Sequence, residues 1–383
     1  MSDLVVVGGG VMGASIAYHT AARGARVTLV ERGRICSGPT RHSTAIVRLH
    51  YTQSLLVRMA AHGLRSYRAF EEEVGSSSGF VQTGMLFGAR EGERSLLESN
   101  VETGRAAGAE TSMVSTDEVD AIDERVVTDG MVFCYEPDAG YCDPYLVASG
   151  YAAAAQRAGA TIVEGTCVTA VDEGGVDTDR GRHDADAVVV AAGQWSRDLL
   201  VPLGYDLPVV AAPAEVGRYR LPESFGAPPP AVADFSAAAV YFRPSERGFL
   251  EVGSLAPEHA DDPIDADDPP EGARASTLRA YADAIGARLR GAAGGHWRGA
   301  WTGVYDVTPD WEPVLDRVPG TERTFVAAGF SGHGFKLAPA VGLSLAELVL
   351  DGGTHTFDLG LLNAERFARE ELVGARYGYS VLG

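Results

Sequence analysis

The sequence predicts an α/β protein built from two domains, and three observations lead to this prediction. The chain has 383 residues, which is long for a single domain. A strand, a glycine-rich turn and a helix follow one another at the N-terminus, and the same pattern returns at 324–350. Between them, region 207–253 has short apolar stretches separated by Pro and Gly, which is typical of an antiparallel sheet.

The N-terminal pattern is typical of a Rossmann-like dinucleotide-binding unit. An apolar strand leads into the run GGGVMG at 8–13, and an Ala-rich helix follows. Gly8 permits a tight turn, Gly10 lets the backbone approach a pyrophosphate, and Gly13 lets the helix pack close to the sheet. Glu31 directly follows the second strand, 26–30, where an acid accepts from both ribose hydroxyls and repels a 2′-phosphate. The motif predicts dinucleotide binding but does not separate FAD from NAD.

The rest of the chain alternates between helical and strand patterns. Helices are predicted at 52–70, 92–107, 145–158, 276–289 and 337–350. Strands are predicted at 84–87, 130–135, 161–163, 167–171, 187–192 and 324–328. The strand that ends at Ala192-Gly193 suits close approach to a ligand, although a plain strand end has the same pattern. The acidic, Pro-rich segment 259–271 predicts an exposed loop.

Composition and charge exclude several classes of protein. With 45% hydrophobic and 22% charged residues, the chain can build a large core. The net charge of −20 opposes binding to nucleic acid, which needs a basic surface. The four cysteines form no CxxC, no apolar run approaches the roughly 20 residues of a membrane span, and no metal site is expected. The N-terminus has no basic segment ahead of its apolar run, so we expect a cytoplasmic protein.

Five segments, taken in order, resemble the FAD-dependent amino acid and amine oxidoreductases of the D-amino acid oxidase superfamily. They are GGGVMG at 8–13 with Glu31, STAIVRLHY at 43–51, VVVAAGQWS at 188–196, WTGVYDVTPD at 301–310 and GFSGHGFK at 329–336. Together they span nearly the whole chain. The resemblance looks strongest to the branch of sarcosine oxidase and dimethylglycine dehydrogenase, and it implies FAD as the cofactor.

The resemblance also implies a fold. One Rossmann-like domain binds FAD and is assembled from discontinuous segments, and a substrate domain of the α+β kind covers the flavin with a large mixed, mainly antiparallel sheet. We expect the FAD-binding domain to comprise 1–80, 143–200 and 322–383, and the substrate domain to comprise 81–142 and 201–321. A monomer and a homo-oligomer are both compatible with the sequence.

In this family, hydride passes from the α-carbon to flavin N5, so the protein positions and polarises the substrate. Arg48 stands where the branch keeps a carboxylate-binding arginine, with a surface ion pair as the alternative. Lys336 matches the second carboxylate-binding cation, and it is the one lysine among 32 basic residues. Tyr241 corresponds to a tyrosine that lines the pocket, although a tyrosine packed in a sheet would look alike. Tyr305 is a similar, weaker candidate.

The glycine-rich turn before the last helix is expected to stabilise negative charge on reduced flavin through backbone N–H groups of 332–336. The ring of His333 is expected to matter less than its backbone. The resemblance implies these cofactor-binding residues: Gly8, Gly10, Val11, Met12, Gly13, Glu31, Arg32, Thr40, Ser43, Thr44, Val168, Ala192, Gly193, Trp195, Gly303, Gly329, Gly332, His333, Gly334, Phe335 and Lys336.

The chain departs from the monomeric sarcosine oxidases in three places. Gly303 stands about where those enzymes attach FAD through a cysteine, so attachment there is impossible; His42 leaves a histidyl link open, and we expect noncovalent FAD. Glu251 aligns with their oxygen-activating lysine and is included among the expected catalytic residues, where its carboxylate would oppose negative charge on oxygen. Leu255 replaces a pocket histidine, which favours a wider or more apolar substrate.

These observations predict oxidation of the C–N bond of a carboxylate-bearing amine to an imine. The substrate would be an N-substituted glycine, an imino acid or an amino acid, and O2 is the expected acceptor, giving H2O2. Two alternatives stay open: a dehydrogenase that passes electrons to a partner protein or quinone, and a catalytically silent flavoprotein subunit. An NAD-dependent dehydrogenase would not need the turn at 332–336, and a flavin monooxygenase would carry a Gly-Asp-Gly phosphate motif.

Overall fold

Two large β-sheets organise the chain in the computed structural model, which describes residues 3–236, 238–256 and 262–374. The strands are β1 (Asp3–Val7), β2 (Arg26–Val30), β3 (Ile46–Val47), β4 (Val81–Gln82), β5 (Met85–Arg90), β6 (Ser112–Val114), β7 (Met131–Glu136), β8 (Gly140–Tyr141), β9 (Thr161–Val163), β10 (Val168–Asp172), β11 (Gly175–Thr178), β12 (Gly181–Asp184), β13 (Ala187–Val190), β14 (Val210–Arg220), β15 (Ala231–Asp234), β16 (Val240–Ser245), β17 (Phe249–Ser254), β18 (His296–Val307), β19 (Val314–Arg317) and β20 (Thr324–Ala328). The α-helices are α1 (Val11–Ala22), α2 (Ser54–Arg68), α3 (Phe70–Val74), α4 (Arg94–Ala106), α5 (Thr116–Asp123), α6 (Pro144–Arg157), α7 (Ser196–Leu200), α8 (Ala275–Arg288) and α9 (Ala338–Asp351).

The first sheet has six strands in the order β19-β20-β13-β1-β2-β9. All its pairings are parallel except the antiparallel pair of β19 and β20. Strands β1, β13 and β20 are apolar and almost wholly buried, as expected for parallel strands that are covered on both faces. Helix α1 packs against α6 and α9. This arrangement aligns the carboxyl ends of β1, β2 and β13, where a dinucleotide is bound in open α/β sheets.

The second sheet has eight strands in the order β18-β14-β17-β16-β15-β5-β7-β6. Its pairings are antiparallel except that β15 runs parallel to β5, so the sheet is mixed and mainly antiparallel, as predicted. Two small three-stranded sheets, β10-β11-β12 and β3-β8-β4, complete the β-structure of the described residues.

The predicted elements agree closely with the structure in the periodic segments. The predicted strands 161–163 and 324–328 match β9 and β20 residue for residue. The predicted helix 52–70 is divided, because α2 ends at Arg68 and α3 begins at Phe70. Helix α5 was not predicted, although its start carries a recognisable capping box in which Ser115 and Glu118 cap each other's backbone N–H.

The expected boundaries between domains stay a prediction, and one strand bears on them. Strand β19 falls in the range 201–321 assigned to the substrate domain, yet it pairs with β20 in the six-stranded sheet. The stretches 259–261 of the predicted loop and 375–383 of the predicted FAD-binding domain lie outside the described residues. Among the helices of the described residues, none is both long and apolar enough to cross a membrane.

Candidate active site

A cavity of about 820 Å³ lies between the two large sheets. Its walls include the carboxyl ends of β1, β2 and β13 on one side and residues of β5, β14, β15, β16 and β18 on the other. The volume is in the range of sites for organic ligands and cofactors. Of the residues predicted for cofactor or substrate, all line the cavity except Gly13, Gly329 and Glu251.

The dinucleotide end of the cavity is made by the turn between β1 and α1. Gly8 has a φ of +108°, a conformation that favours glycine. A Cβ at Gly13 would lie 1.9 Å from the Gly8 carbonyl oxygen, so only glycine allows α1 to approach the turn this closely. Gly10 precedes the helix without a capping side chain, and the Thr40 hydroxyl instead accepts from Val11 N–H at 3.1 Å. Thr40 therefore caps the start of α1, and Gly10, Val11 and Thr40 all line the cavity.

Glu31 directly follows β2, as predicted from the sequence. Its Oε2 accepts from Gly9 N–H at 2.6 Å and its Oε1 from Gly33 N–H at 2.7 Å. The carboxylate thus ties the glycine turn to the segment after β2. The next residue, Arg32, stacks its guanidinium 3.7 Å from the ring centre of Trp195, which follows β13.

The inner end of the cavity contains two buried cations, Arg48 and Lys336. Arg48 is 6% exposed and donates to the carbonyl of His50, which rules out a surface ion pair for it. The Lys336 Nζ donates to Tyr51 Oη at 3.1 Å and to the His333 carbonyl at 2.8 Å. The Tyr51 ring lies between the cations, 4.7 Å from the Arg48 guanidinium and 5.3 Å from Lys336 Nζ. Burial, and then the charge of Arg48, lower the pKa of Lys336 well below its usual value.

Two buried carboxyl groups accompany these cations, and neither was predicted from the sequence. Glu136 ends β7 and accepts from Leu49 N–H at 2.8 Å, while its other oxygen has no hydrogen-bond partner among the described residues. Glu312 follows the Thr308–Asp310 turn, with Oε2 buried and 3.9 Å from His333 Nε2. Burial raises the pKa of Glu136 to about 7 and that of Glu312 to about 8. The inner end is therefore a cluster of four ionisable groups.

Both ring nitrogens of His333 contact neighbouring groups. Nε2 lies 2.8 Å from the Trp311 carbonyl, and Nδ1 lies 3.3 Å from Tyr51 Oη. Burial lowers the pKa of His333 to about 3, so the ring is neutral. A neutral ring held by two neighbours supports the turn.

The glycine-rich turn after β20 is fixed by Asp306 of β18. The Asp306 Oδ2 accepts from Gly329 N–H at 2.7 Å, and its carbonyl accepts from Ser331 N–H at 3.0 Å. Gly329 does not line the cavity, but its hydrogen bond to Asp306 holds the turn in position. On the far side, Tyr67 Oη donates to the Phe335 carbonyl at 2.6 Å. These hydrogen bonds anchor the turn, whose residues 332–336 line the cavity.

An apolar wall faces the cations across the inner end. Met85, Ala233, Phe235 and Leu255 line the cavity and are each at most 6% exposed. The Tyr241 hydroxyl accepts from Thr44 Oγ1 at 3.4 Å and also lines the cavity. The sequence pointed to Tyr241 and Leu255 but missed Met85, which begins β5, and Phe235, which directly follows β15; both are ordinary apolar residues until the sheet brings them together.

The structure corrects the expected position of Glu251. It stands in β17 directly opposite Arg243 of β16, and the two side chains form an ion pair at 2.6 Å. Arg243 also donates to the Thr44 carbonyl at 2.7 Å. The carboxylate is therefore neutralised by its cross-strand neighbour and does not line the cavity. Alignment alone cannot reveal this pairing, because it depends on the register of two strands.

Gly303 lines the cavity beside His42: a Cβ at position 303 would lie 3.3 Å from the His42 Cβ. The Trp301 indole N–H donates to the His42 carbonyl at 2.9 Å, which fixes this corner. In the described residues, no group of His, Cys, Asp and Glu side chains is placed to hold a metal ion.

The residues present fit FAD along the whole cavity. Gly8 and Gly10 form a cradle without side chains at the start of α1, which suits a pyrophosphate. Glu31 offers an acceptor for ribose hydroxyls, and the turn from Gly332 to Lys336 offers backbone N–H groups for a ring with negative charge.

Known proteins match this chain over most of its length. The family described as DAO, FAD dependent oxidoreductase, matches residues 3–348. The 4-methylaminobutanoate oxidase (formaldehyde-forming) of Paenarthrobacter nicotinovorans is 31% identical over 382 residues, which are 95% of this chain but only 45% of that protein. The chain thus spans about half the length of that relative. Human peroxisomal sarcosine oxidase is 27% identical over 381 residues, covering 95% of this chain and 96% of that protein.

Among solved structures, L-proline dehydrogenase from P. horikoshii has a TM-score of 0.88 at 26% identity, covering 97% of this chain and 99% of that chain. Fold, cavity and sequence agree: the chain belongs to the DAO family of FAD-dependent oxidoreductases.

Proposed function

We propose that this protein oxidises the C–N bond of a carboxylate-bearing amine to an imine, with O2 as acceptor and H2O2 as product. The observation that carries the proposal is the pair of buried cations, Arg48 and Lys336, at the inner end of the FAD cavity. Three relatives support an amine as substrate, since their names are 4-methylaminobutanoate oxidase, sarcosine oxidase and L-proline dehydrogenase. When bound, FAD supplies a hydride acceptor at N5 and the route for the electrons to the acceptor.

Arg48 and Lys336 hold the substrate carboxylate. A guanidinium grips a carboxylate through two parallel hydrogen bonds, and a compact ammonium adds a point charge. Their burial makes each contact stronger than it would be in water and holds the substrate in one orientation. Tyr51 lies between them and fixes the direction of the ammonium.

The apolar wall favours a substrate whose remaining part is uncharged. Met85, Phe235 and Leu255 offer no partner to a second carboxylate or a free ammonium. An N-alkyl glycine or a cyclic imino acid would fill this space, whereas a dicarboxylate would leave one charge unpaired. We test this with kcat/KM values for sarcosine, L-proline, glycine and iminodiacetate. Faster turnover of iminodiacetate than of sarcosine and L-proline would contradict the assignment.

The cofactor is held without a covalent bond in this proposal. Gly303 has no side chain, and the His42 ring Nε2 accepts from Arg41 Nε at 3.1 Å. Denaturation with acid should therefore leave a colourless pellet and a yellow supernatant. A yellow pellet would show a covalent link and direct attention to His42.

A dehydrogenase that passes electrons to a partner protein or quinone is the second candidate, and one observation favours it. Lys336, the single lysine of the sequence, is committed to Tyr51 and His333, so no lysine is left to activate oxygen. Photoreduction of the protein without O2, followed by mixing with aerated buffer, separates the two. Recovery of flavin absorbance within seconds supports the oxidase, and recovery over many minutes supports the dehydrogenase.

A further inference from the structure

The acidic segment 262–274 connects the eight-stranded sheet to the dinucleotide end of the cavity. Near its start, Ile264 N–H donates to the Ala211 carbonyl at 2.9 Å. At its end, the Arg274 guanidinium pairs with the buried Glu215 at 2.7 Å. Ala211 and Glu215 both belong to β14. The two ends of the segment are therefore attached to the eight-stranded sheet, and its middle forms a loop between them.

Asp267, in the middle of this loop, contacts both sides of the dinucleotide end. Its Oδ1 accepts from Arg32 Nη1 at 2.7 Å and from Trp195 Nε1 at 2.9 Å. Arg32 follows β2 and Trp195 follows β13, and these strands flank β1 in the six-stranded sheet. All three residues line the cavity. One carboxylate therefore joins two walls of the cleft to a loop of the other sheet.

The position of these contacts identifies which part of FAD they face. Arg32 is the neighbour of Glu31, the acceptor for ribose hydroxyls, so the three side chains lie at the adenosine end. The stacked Arg32 and Trp195 present a flat, polarisable surface there. The segment that carries Asp267 comes from outside the six-stranded sheet, so its contacts join the adenosine end to a second part of the fold.

We propose that Asp267, Arg32 and Trp195 form a clasp that retains the adenosine half of FAD. The inference concerns retention of the cofactor and is independent of the substrate and the electron acceptor. The competing explanation is an ordinary surface ion pair, because the side chains of Arg32 and Asp267 are 45% and 65% exposed and such pairs add little to stability. The two explanations differ in what the loss of Asp267 changes.

The test measures the rate at which bound FAD is released from holoenzyme, by exchange against an excess of labelled FAD. Asp267→Ala should accelerate release roughly tenfold, which corresponds to about 1.4 kcal/mol. Asp268→Asn is the matched control, since it removes the same charge from the neighbouring exposed residue and should leave the rate unchanged. Trp195→Phe keeps a ring under Arg32 but removes the indole donor, and we expect a smaller acceleration.

Salt supplies a second measurement. High ionic strength screens the pair of Arg32 and Asp267, so it should accelerate FAD release from the wild type and have little effect on Asp267→Ala. The proposal is overturned if Asp267→Ala releases FAD at the rate of Asp268→Asn. It is also overturned if flavin remains on the denatured chain, because a covalent bond would then retain the cofactor. Neither result bears on the carboxylate-binding role of Arg48 and Lys336.

Discussion

The two ends of the cavity are built in different ways. The dinucleotide end is built largely from backbone, in the glycine-rich turn 8–13 and Gly193, with the acid Glu31 accepting from two N–H groups. The inner end consists of buried charged side chains, in which Arg48, Glu136 and Lys336 come from distant parts of the chain. The first end depends on shape and the second on charge balance. Substitutions at the first end should therefore reduce flavin binding, and substitutions at the second should reduce substrate turnover.

The largest effect is expected from Gly13→Ala at the dinucleotide end. The new Cβ would lie 1.9 Å from the Gly8 carbonyl and push α1 away from β1. We expect nearly complete loss of bound flavin, measured as the ratio of absorbance at 450 and 280 nm. Gly38→Ala is the matched control, because Gly38 lines the same cavity with φ −85° and an added Cβ would have no atom of a non-neighbouring described residue within 4 Å. Normal flavin content in Gly13→Ala would show that flavin binding does not depend on the close approach of α1 to the glycine turn.

At the inner end, Arg48→Met and Lys336→Met should leave the content of bound flavin unchanged and reduce the turnover of the substrate. A hydrogen bond to a charged group contributes about 1.5–3 kcal/mol, so kcat/KM for a carboxylate-bearing amine should fall roughly 10- to 150-fold. An amine without a carboxylate serves as the control substrate and should be affected much less.

The removal of either cation takes away one of the positive charges that stabilise the ionised forms of Glu136 and Glu312, so thermal unfolding should occur at a lower temperature where these groups are ionised. Unchanged kinetics in both variants would contradict the carboxylate site.

A smaller effect is expected from Glu312→Gln and should appear only at high pH. Burial and the charge of Asp310 raise the pKa of Glu312 to about 8, while Arg366, Arg48 and Lys336 oppose that rise. Below pH 8 the group is neutral; as pH rises through 8 it becomes negative and repels an anionic ligand. Binding of propionate, a carboxylate without an amine, should therefore weaken up to roughly tenfold between pH 7 and 9.5 in the wild type.

Glu312→Gln should abolish most of that decline. The other titrating neighbours are Lys336, Glu136 and His333, of which His333 stays neutral over this range. If the decline persists in Glu312→Gln, deprotonation of Lys336 or Glu136 is its cause and Glu312 has no part in it. Fluorescence or absorbance titration of the flavin measures the binding.

The smallest effect is expected from Glu251→Gln. Because Glu251 is paired with Arg243 and lies outside the cavity lining, the rate of flavin reoxidation by O2 should change less than about twofold. A large acceleration in stopped-flow measurements would restore the earlier hypothesis that this carboxylate opposes oxygen reactivity.

The same contrast explains what the sequence could predict. Periodicity and glycine position identified β1, α1 and β20, and the dinucleotide end followed because its parts are neighbours in sequence. Glu136 and Glu312 were missed because an acid at the end of a strand or in a turn is usually exposed. Asp267 was missed for a related reason, since it lies in a segment that its composition correctly predicts to be at the surface. Their partners are brought to them by the packing of distant segments.

The place of β20 has a consequence for how the protein is made. This strand pairs with β13 on one side and β19 on the other, and the glycine-rich turn follows it directly. While the ribosome has not yet released Thr324–Ala328, the apolar strand β13 has an open edge that invites aggregation and chaperone binding. The cradle for FAD is complete only after this late strand is inserted. Binding of FAD by a nascent chain would therefore report that translation has passed β20 and that the sheet has closed.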